Sequence, residues 1–164
     1  MIIIKVNSNY INDYKNIIQT TNLQKGYQEF VRFFRYLRTY LEKEMPSYIF
    51  TSNIVENNMD YSYFQFTNQN LKSKNLKIVI AFIHQKFDYE IWLAGVNRKV
   101  QVYFYENLKN KLIKHTLTNN PNRTDYILKS KIIKNCDYDN IERMLIEIKL
   151  NIDDFINDTN DILV

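Results

Sequence analysis

Leu76-Lys77-Ile78-Val79-Ile80-Ala81-Phe82-Ile83-His84-Gln85-Lys86-Phe87-Asp88-Tyr89-Glu90-Ile91-Trp92-Leu93-Ala94-Gly95 is the stretch that decides the fold. Residues 76–84 are apolar at nearly every position and too few for a buried helix of ordinary length, so they read as a central strand covered on both faces. Gln85-Lys86 makes a short turn. Residues 87–94 then alternate, with Phe87, Tyr89, Ile91 and Leu93 on one face and Asp88, Glu90 and Trp92 on the other, until Gly95 stops the strand. A hairpin at the middle of a sheet follows.

Upstream, residues 60–67 alternate as a further strand, with Phe64 and Phe66 on its apolar face, and Asn57-Asn58 turns the chain into it from a strand at 47–55. Before that, Tyr27, Phe30, Val31, Phe34, Leu37 and Leu41 recur at spacings of three and four, which predicts an amphipathic helix over 24–44, ended by Pro46. Downstream, Asn97 caps a helix from 98 to about 115 whose row is Val100, Phe104, Leu108 and Leu112, although 100–104 suits a strand equally well by propensity. A loop at 119–122 leads to a strand over 126–133, and Asp139 or Asn140 caps a last helix with the stripe Ile141, Leu145, Ile148, Ile152, Phe155 and Ile156. The order α-β-β-β-β-α-β-α describes an α+β protein: one mixed or mostly antiparallel sheet of about five strands with helices packed against it. The 164 residues suit a single domain, 1–164, with the first 20 or so as a loosely attached extension.

Composition removes several functions. Gly26 and Gly95 are the only glycines, too few for a loop that cradles phosphates with its backbone. Cys136 has no second cysteine to bridge to, and His84 and His115 alone make no zinc ligand set. The opening Met1-Ile2-Ile3-Ile4-Lys5-Val6 lacks the basic region and cleavage site of a secretory leader, and no apolar run reaches the roughly 20 residues of a membrane span. A cytoplasmic protein with no membrane partner is expected. The net charge of +4 is unevenly placed: residues 1–61 carry +1, 62–136 carry +9 and 137–164 carry −6. A basic middle invites an anionic partner, but Lys and Asn usage is inflated together, as in an AT-rich genome, and an acidic last helix can neutralise the middle internally.

Four constellations could carry chemistry. Asp88 and Glu90 share a strand face with Trp92, and His84 lies across the turn; a carboxylate desolvated beside an indole serves as acid or base, and paired carboxylates hold Mg²⁺. Lys72, Lys74, Lys77 and Lys86, with Arg98 and Lys99 at a helix start, bracket the hairpin, and Asn97, Arg98 and Lys99 would form a pocket for a negatively charged, partly flat ligand if they converge with Trp92 and Glu90 at one end of the sheet. Arg32, Arg35 and Arg38 interleave with Tyr36 and Tyr40 as a nucleic-acid surface would, yet Glu29 and Glu42 are spaced to pair with Arg32 and Arg38 within the helix. Cys136 has no activating base nearby and reads as packing.

Residues 71–80, continuing through His84, Phe87, Glu90-Ile91-Trp92-Leu93-Ala94-Gly95 and Asn97, together with Gly26-Tyr27 and Met59-Asp60-Tyr61 through Phe64, resemble a family of small bacterial proteins known only as a domain of unknown function. The likeness covers most of 24–158 and implies one compact domain without an assigned activity. The order of elements from 24 onward, with a strand ending in Glu90, also resembles the core of restriction-endonuclease-like nucleases. That family's metal signature is incomplete here: 76–84 holds no carboxylate, and Trp92 stands where a lysine would follow Glu90.

The expectation is a non-catalytic binding module for an anionic ligand, nucleotide or nucleic acid, needing no cofactor and using Glu90, Trp92, Asn97, Arg98 and His84. One alternative is a Mg²⁺-dependent nuclease or phosphodiesterase of degenerate restriction-endonuclease-like type, acting through Asp60, Asp88 and Glu90. Another is a protein-interaction or inhibitor protein of bacterial or phage origin, acting as a homodimer through exposed aromatic surface.

Overall fold

The near-continuous apolar run at the centre of the sequence becomes the two central strands of a seven-stranded antiparallel sheet. The computed structural model describes residues 4–163; Met1, Ile2 and Ile3, on which part of the expectation about a secretory leader falls, and Val164 lie outside them. The elements run α1 (Ser8–Thr20), α2 (Leu23–Glu44), β1 (Ile49–Phe50), β2 (Val55–Asn57), β3 (Tyr61–Thr67), α3 (Gln69–Ser73), β4 (Leu76–Ile83), β5 (Asp88–Gly95), α4 (Arg98–Leu108), β6 (Thr116–Leu117), β7 (Leu128–Lys131) and α5 (Ile141–Ile162). The spatial order is β1-β3-β4-β5-β7-β6, with β2 also pairing β3. The α+β class stands, with seven strands in place of about five.

The chain clusters into two compact units, Met1–Leu37 and Arg38–Val164. The first holds α1, capped by Asn7 and burying no side chain, and most of α2. The expected stripe of α2 is present: Phe30, Phe34, Leu37 and Leu41 are buried. Arg32 and Arg38 pair with Glu29 and Glu42 along this helix, as their spacing predicts for a solvated face.

The second unit holds the sheet and its two faces. Register puts Ser62, Phe64, Phe66, Ile78, Ile80, Phe82, Tyr89, Ile91 and Leu93 on one face, all fully buried. On this face, Met144, Leu145, Ile148, Ile152, Phe155 and Ile156 supply the buried stripe of α5. The opposite face carries Tyr61, Tyr63 and Gln65 from β3, Lys77, Val79 and Ala81 from β4, Asp88, Glu90 and Trp92 from β5, and Lys129 and Lys131 from β7. Val79, Ala81, Trp92 and Ala94 form a small second core there, clothed by Tyr61, Tyr63, Ile83 and Tyr126.

Several expectations need correction. The strand expected over 47–55 is broken into β1 and β2, because only Thr51 N–H reaches Gln65 between them (3.2 Å) and the chain bulges away from β3. Residues 89–94 are buried on both faces, and Glu90 lies near the start of β5 and not at its end. The fourth helix stops at Leu108 and leaves Leu112 fully exposed: the chain turns back to lay β6 beside β7, and Asn107 and Asn110 are poor helix formers. The strand expected over 126–133 shortens to β7. Asn140, not Asp139, caps α5.

Candidate functional site

A pocket of about 270 Å³ opens on the aromatic face of the sheet, near the end of β5. Three rings form its floor and side: the Trp92 indole lies 5.4 Å from the Tyr61 ring and Tyr61 lies 5.7 Å from Tyr63. Alternation along β3 and the antiparallel β4–β5 register put these side chains on one face. Tyr126 flanks the indole at 5.8 Å.

Cations enter from two directions. Lys77 projects from β4 and donates to Gln65 Oε1 at 2.8 Å; its ammonium is half-buried, and burial lowers its pKa. Arg98, the first residue of α4, donates to the carbonyls of Thr124 and Pro121 and to Asp125 Oδ1 (3.2 Å). Asp125 also accepts from the Tyr61 hydroxyl at 3.0 Å, and burial together with this carboxylate pushes the phenol up to about 12.

The junction of strand and helix is held by two residues. Gly95 is required for space, because a Cβ there would lie 2.8 Å from the backbone nitrogen of Gln101. The buried Gln101 side chain accepts from Gly95 N–H (3.1 Å) and donates to the carbonyls of Thr124 (2.6 Å) and Tyr126 (3.2 Å). Asn97 Oδ1 caps α4 through Val100 N–H at 3.0 Å. One amide side chain therefore ties β5, α4 and the loop after β6 into a fixed rim.

Of the residues expected at a binding site, Trp92, Asn97 and Arg98 come together here. Glu90 does not line the pocket. It is buried beside it, accepting from Trp92 Nε1 (2.8 Å) and from Lys129 Nζ (3.0 and 3.2 Å), so it orients the indole and is not a free desolvated acid. His84 does not line the pocket: it sits at the β4–β5 turn and hydrogen-bonds Ser62 Oγ, on the other face of the sheet, at 2.9 Å, and burial lowers its pKa. Lys86 belongs to that same turn.

The three acids of the metal-dependent alternative do not assemble. Asp88 pairs with Lys131, Glu90 with Lys129, and Asp60 is exposed on the turn before β3. Among the described residues no three histidine, cysteine or acidic side chains converge on a metal-sized site. Cys136 is partly buried and its thiol pKa is raised by that burial, in keeping with a packing role.

A family model matches residues 6–163. The chain belongs to the DUF7000 family, a domain of unknown function. No curated protein matches, and no solved structure matches, so the restriction-endonuclease-like resemblance gains no structural neighbour. Membership in the family leaves the chemistry to the pocket itself.

Sequence reading missed Gln101, Asp125 and Tyr126, whose contribution depends on a loop folding back over the end of β5. It also missed a chain of groups in which Ser130 Oγ lies 2.7 Å from His115 Nδ1, and His115 Nε2 lies 3.2 Å from Asp158. That order is one seen in activated serines. Here, however, the imidazole packs on Phe155 at 4.6 Å and Ser130 points to the face that α5 covers, so the chain braces β7 against α5.

Proposed function

We propose that this protein is a non-catalytic binding module whose pocket takes an anionic ligand with a planar group, of the size and chemistry of a nucleotide. The observation that carries this is Lys77: a half-buried ammonium beside three aromatic rings, satisfied by one neutral amide. Partial desolvation of a cation costs free energy that an incoming anion recovers, and the rings offer a stacking surface for a flat group. Arg98 lends positive potential while it secures the rim, and Tyr61 and Glu90 hold the rings in place.

Trp92 is the chain's one tryptophan and lines the pocket, so its fluorescence reports occupancy directly. Titration with AMP, UMP and inorganic phosphate is expected to give saturable quenching by the nucleotides, lost in Lys77→Met while far-UV circular dichroism is unchanged. Unaltered Trp92 emission and melting temperature with every nucleotide would overturn the reading.

Self-association is a second reading, favoured by one observation. Helix α1 buries no side chain and exposes Tyr10, Ile11, Tyr14 and Ile17. If these residues form an interface, light scattering will give twice 19.9 kDa, returning to the monomer value in Tyr14→Glu/Ile17→Glu. A monomer at high concentration ends it.

A further inference from the structure

A second cleft, of about 550 Å³, adjoins the first and is lined by Lys74, Asn75, Asn97, Lys99, Tyr103 and Phe104 among others. Asn97 belongs to both, so the two are neighbours across the first turn of α4. Their backbones are tied as well, since Val96 N–H donates to the carbonyl of Asn75 at 3.0 Å. A mononucleotide accounts for the first cleft and leaves the second unused.

The second cleft repeats the chemistry of the first. Among the described residues Lys74 donates to the carbonyl of Leu163, at 3.4 Å. Among the described residues Lys74, Lys77 and Lys99 form no ion pair, whereas Lys129 and Lys131 on the sheet are matched to Glu90 and Asp88. Tyr103 is 62% exposed, and its ring is held at right angles to Phe104, with centroids 5.2 Å apart. An exposed, positioned ring beside unmatched cations is a stacking platform next to a phosphate site.

We propose that the two clefts form one track for single-stranded nucleic acid, with one base against Tyr61, Tyr63 and Trp92, the backbone crossing the first turn of α4, and a second base on Tyr103. This rests on the nucleotide reading of the first cleft and extends it to a polymer. A single strand is required because paired bases cannot turn their faces to both sets of rings. Cations outnumber acids among the described residues that line the track, where Lys74, Lys77, Arg98 and Lys99 stand against Asp125, so about three phosphates are neutralised on binding.

The test compares dTMP, UMP, oligo(dT), oligo(U) and a DNA duplex by Trp92 fluorescence on the full chain, with Lys74→Ala/Lys99→Ala and Tyr103→Ala as variants. A short oligonucleotide should bind roughly ten- to a hundredfold more tightly than its mononucleotide. Its affinity should fall with salt at a log–log slope of about −2. Both variants should remove most of that gain and leave mononucleotide affinity as it was; the oligo(dT) and oligo(U) arms tell DNA from RNA. Equal affinity for monomer and oligomer, an oligomer affinity that the variants do not change, or equal binding of the duplex overturns the track while the nucleotide reading stands. Binding of neither monomer nor oligomer overturns both.

Discussion

The two faces of the sheet are built from alternate residues of the same strands and have opposite characters. On one face Phe64, Phe66, Ile78, Ile80, Phe82, Tyr89, Ile91 and Leu93 are wholly removed from solvent. On the other, Tyr61, Tyr63 and Lys77 stay half-exposed, and the buried Glu90 is matched to Lys129 and the indole. The period of two puts the wholly buried core on one face and the half-exposed rings and Lys77, over a smaller second core, on the other, so neighbouring positions of β3 differ in how much of their side chain stability depends on.

The strongest way to break that contrast is to truncate neighbouring residues of β3. Phe64→Ala is expected to cost about 3–5 kcal/mol, a large share of a typical domain's stability, whereas Tyr63→Ala should cost roughly 1 kcal/mol, both read from urea midpoints. Equal losses would mean that both faces serve as core.

Next in size is Glu90→Gln, which leaves the Lys129 ammonium without its counter-charge in a largely buried position. A loss of about 1.5–3 kcal/mol is expected, with a shift in Trp92 emission as the indole loses its charged partner. An unchanged midpoint would show that the pair is energetically idle. Gly95→Ala should cost about 1–3 kcal/mol, because the added methyl group pushes against the backbone of Gln101, and it should weaken nucleotide binding by disturbing the rim.

Acid sensitivity should arise from the covered face. His84 and His115 hydrogen-bond Ser62 and Ser130, which both point there, and burial lowers both imidazole pKa values. The unfolded chain, with histidines near the ordinary value of about 6.5, then binds more protons than the folded one. Stability therefore falls as pH drops below that value and continues to fall toward the folded pKa values. Melting temperature should decline from pH 7.5 to 5, with a shallower slope in His84→Asn/His115→Asn. Asp158, whose pKa is lowered first by the Lys114 hydrogen bond, adds a loss only at more acidic pH. The smallest effect is on Lys77→Met: stability within about 0.5 kcal/mol of the parent, with ligand binding lost.

What the sequence made legible was the apolar patterning of single elements. The near-continuous apolar run of β4 and the stripes of α2 and α5 are short-range patterns, and each forms where its spacing predicts. The open face was legible only in part. Trp92, Asn97 and Arg98 lie within seven residues of one another, so their convergence could be anticipated. Lys129 is 39 residues from Glu90, because β7 pairs β5 only after the chain has made α4 and β6, and no local pattern announces that register. Gln101 was hidden for a related reason: its importance comes from a space that only Gly95 leaves and from two carbonyls of a later loop.

The margins of the sheet carry a consequence of their own. One is the interrupted pair of β1 and β2, two and three residues long, and the other is β6, two residues long. Neither offers the run of free backbone donors and acceptors that an incoming extended peptide needs to add itself as another strand. Short margins of this kind also give little template for sheet-to-sheet polymerisation of a chain rich in β-branched and aromatic residues. Such margins disfavour main-chain pairing and leave the side chains as the means of recognition on this sheet.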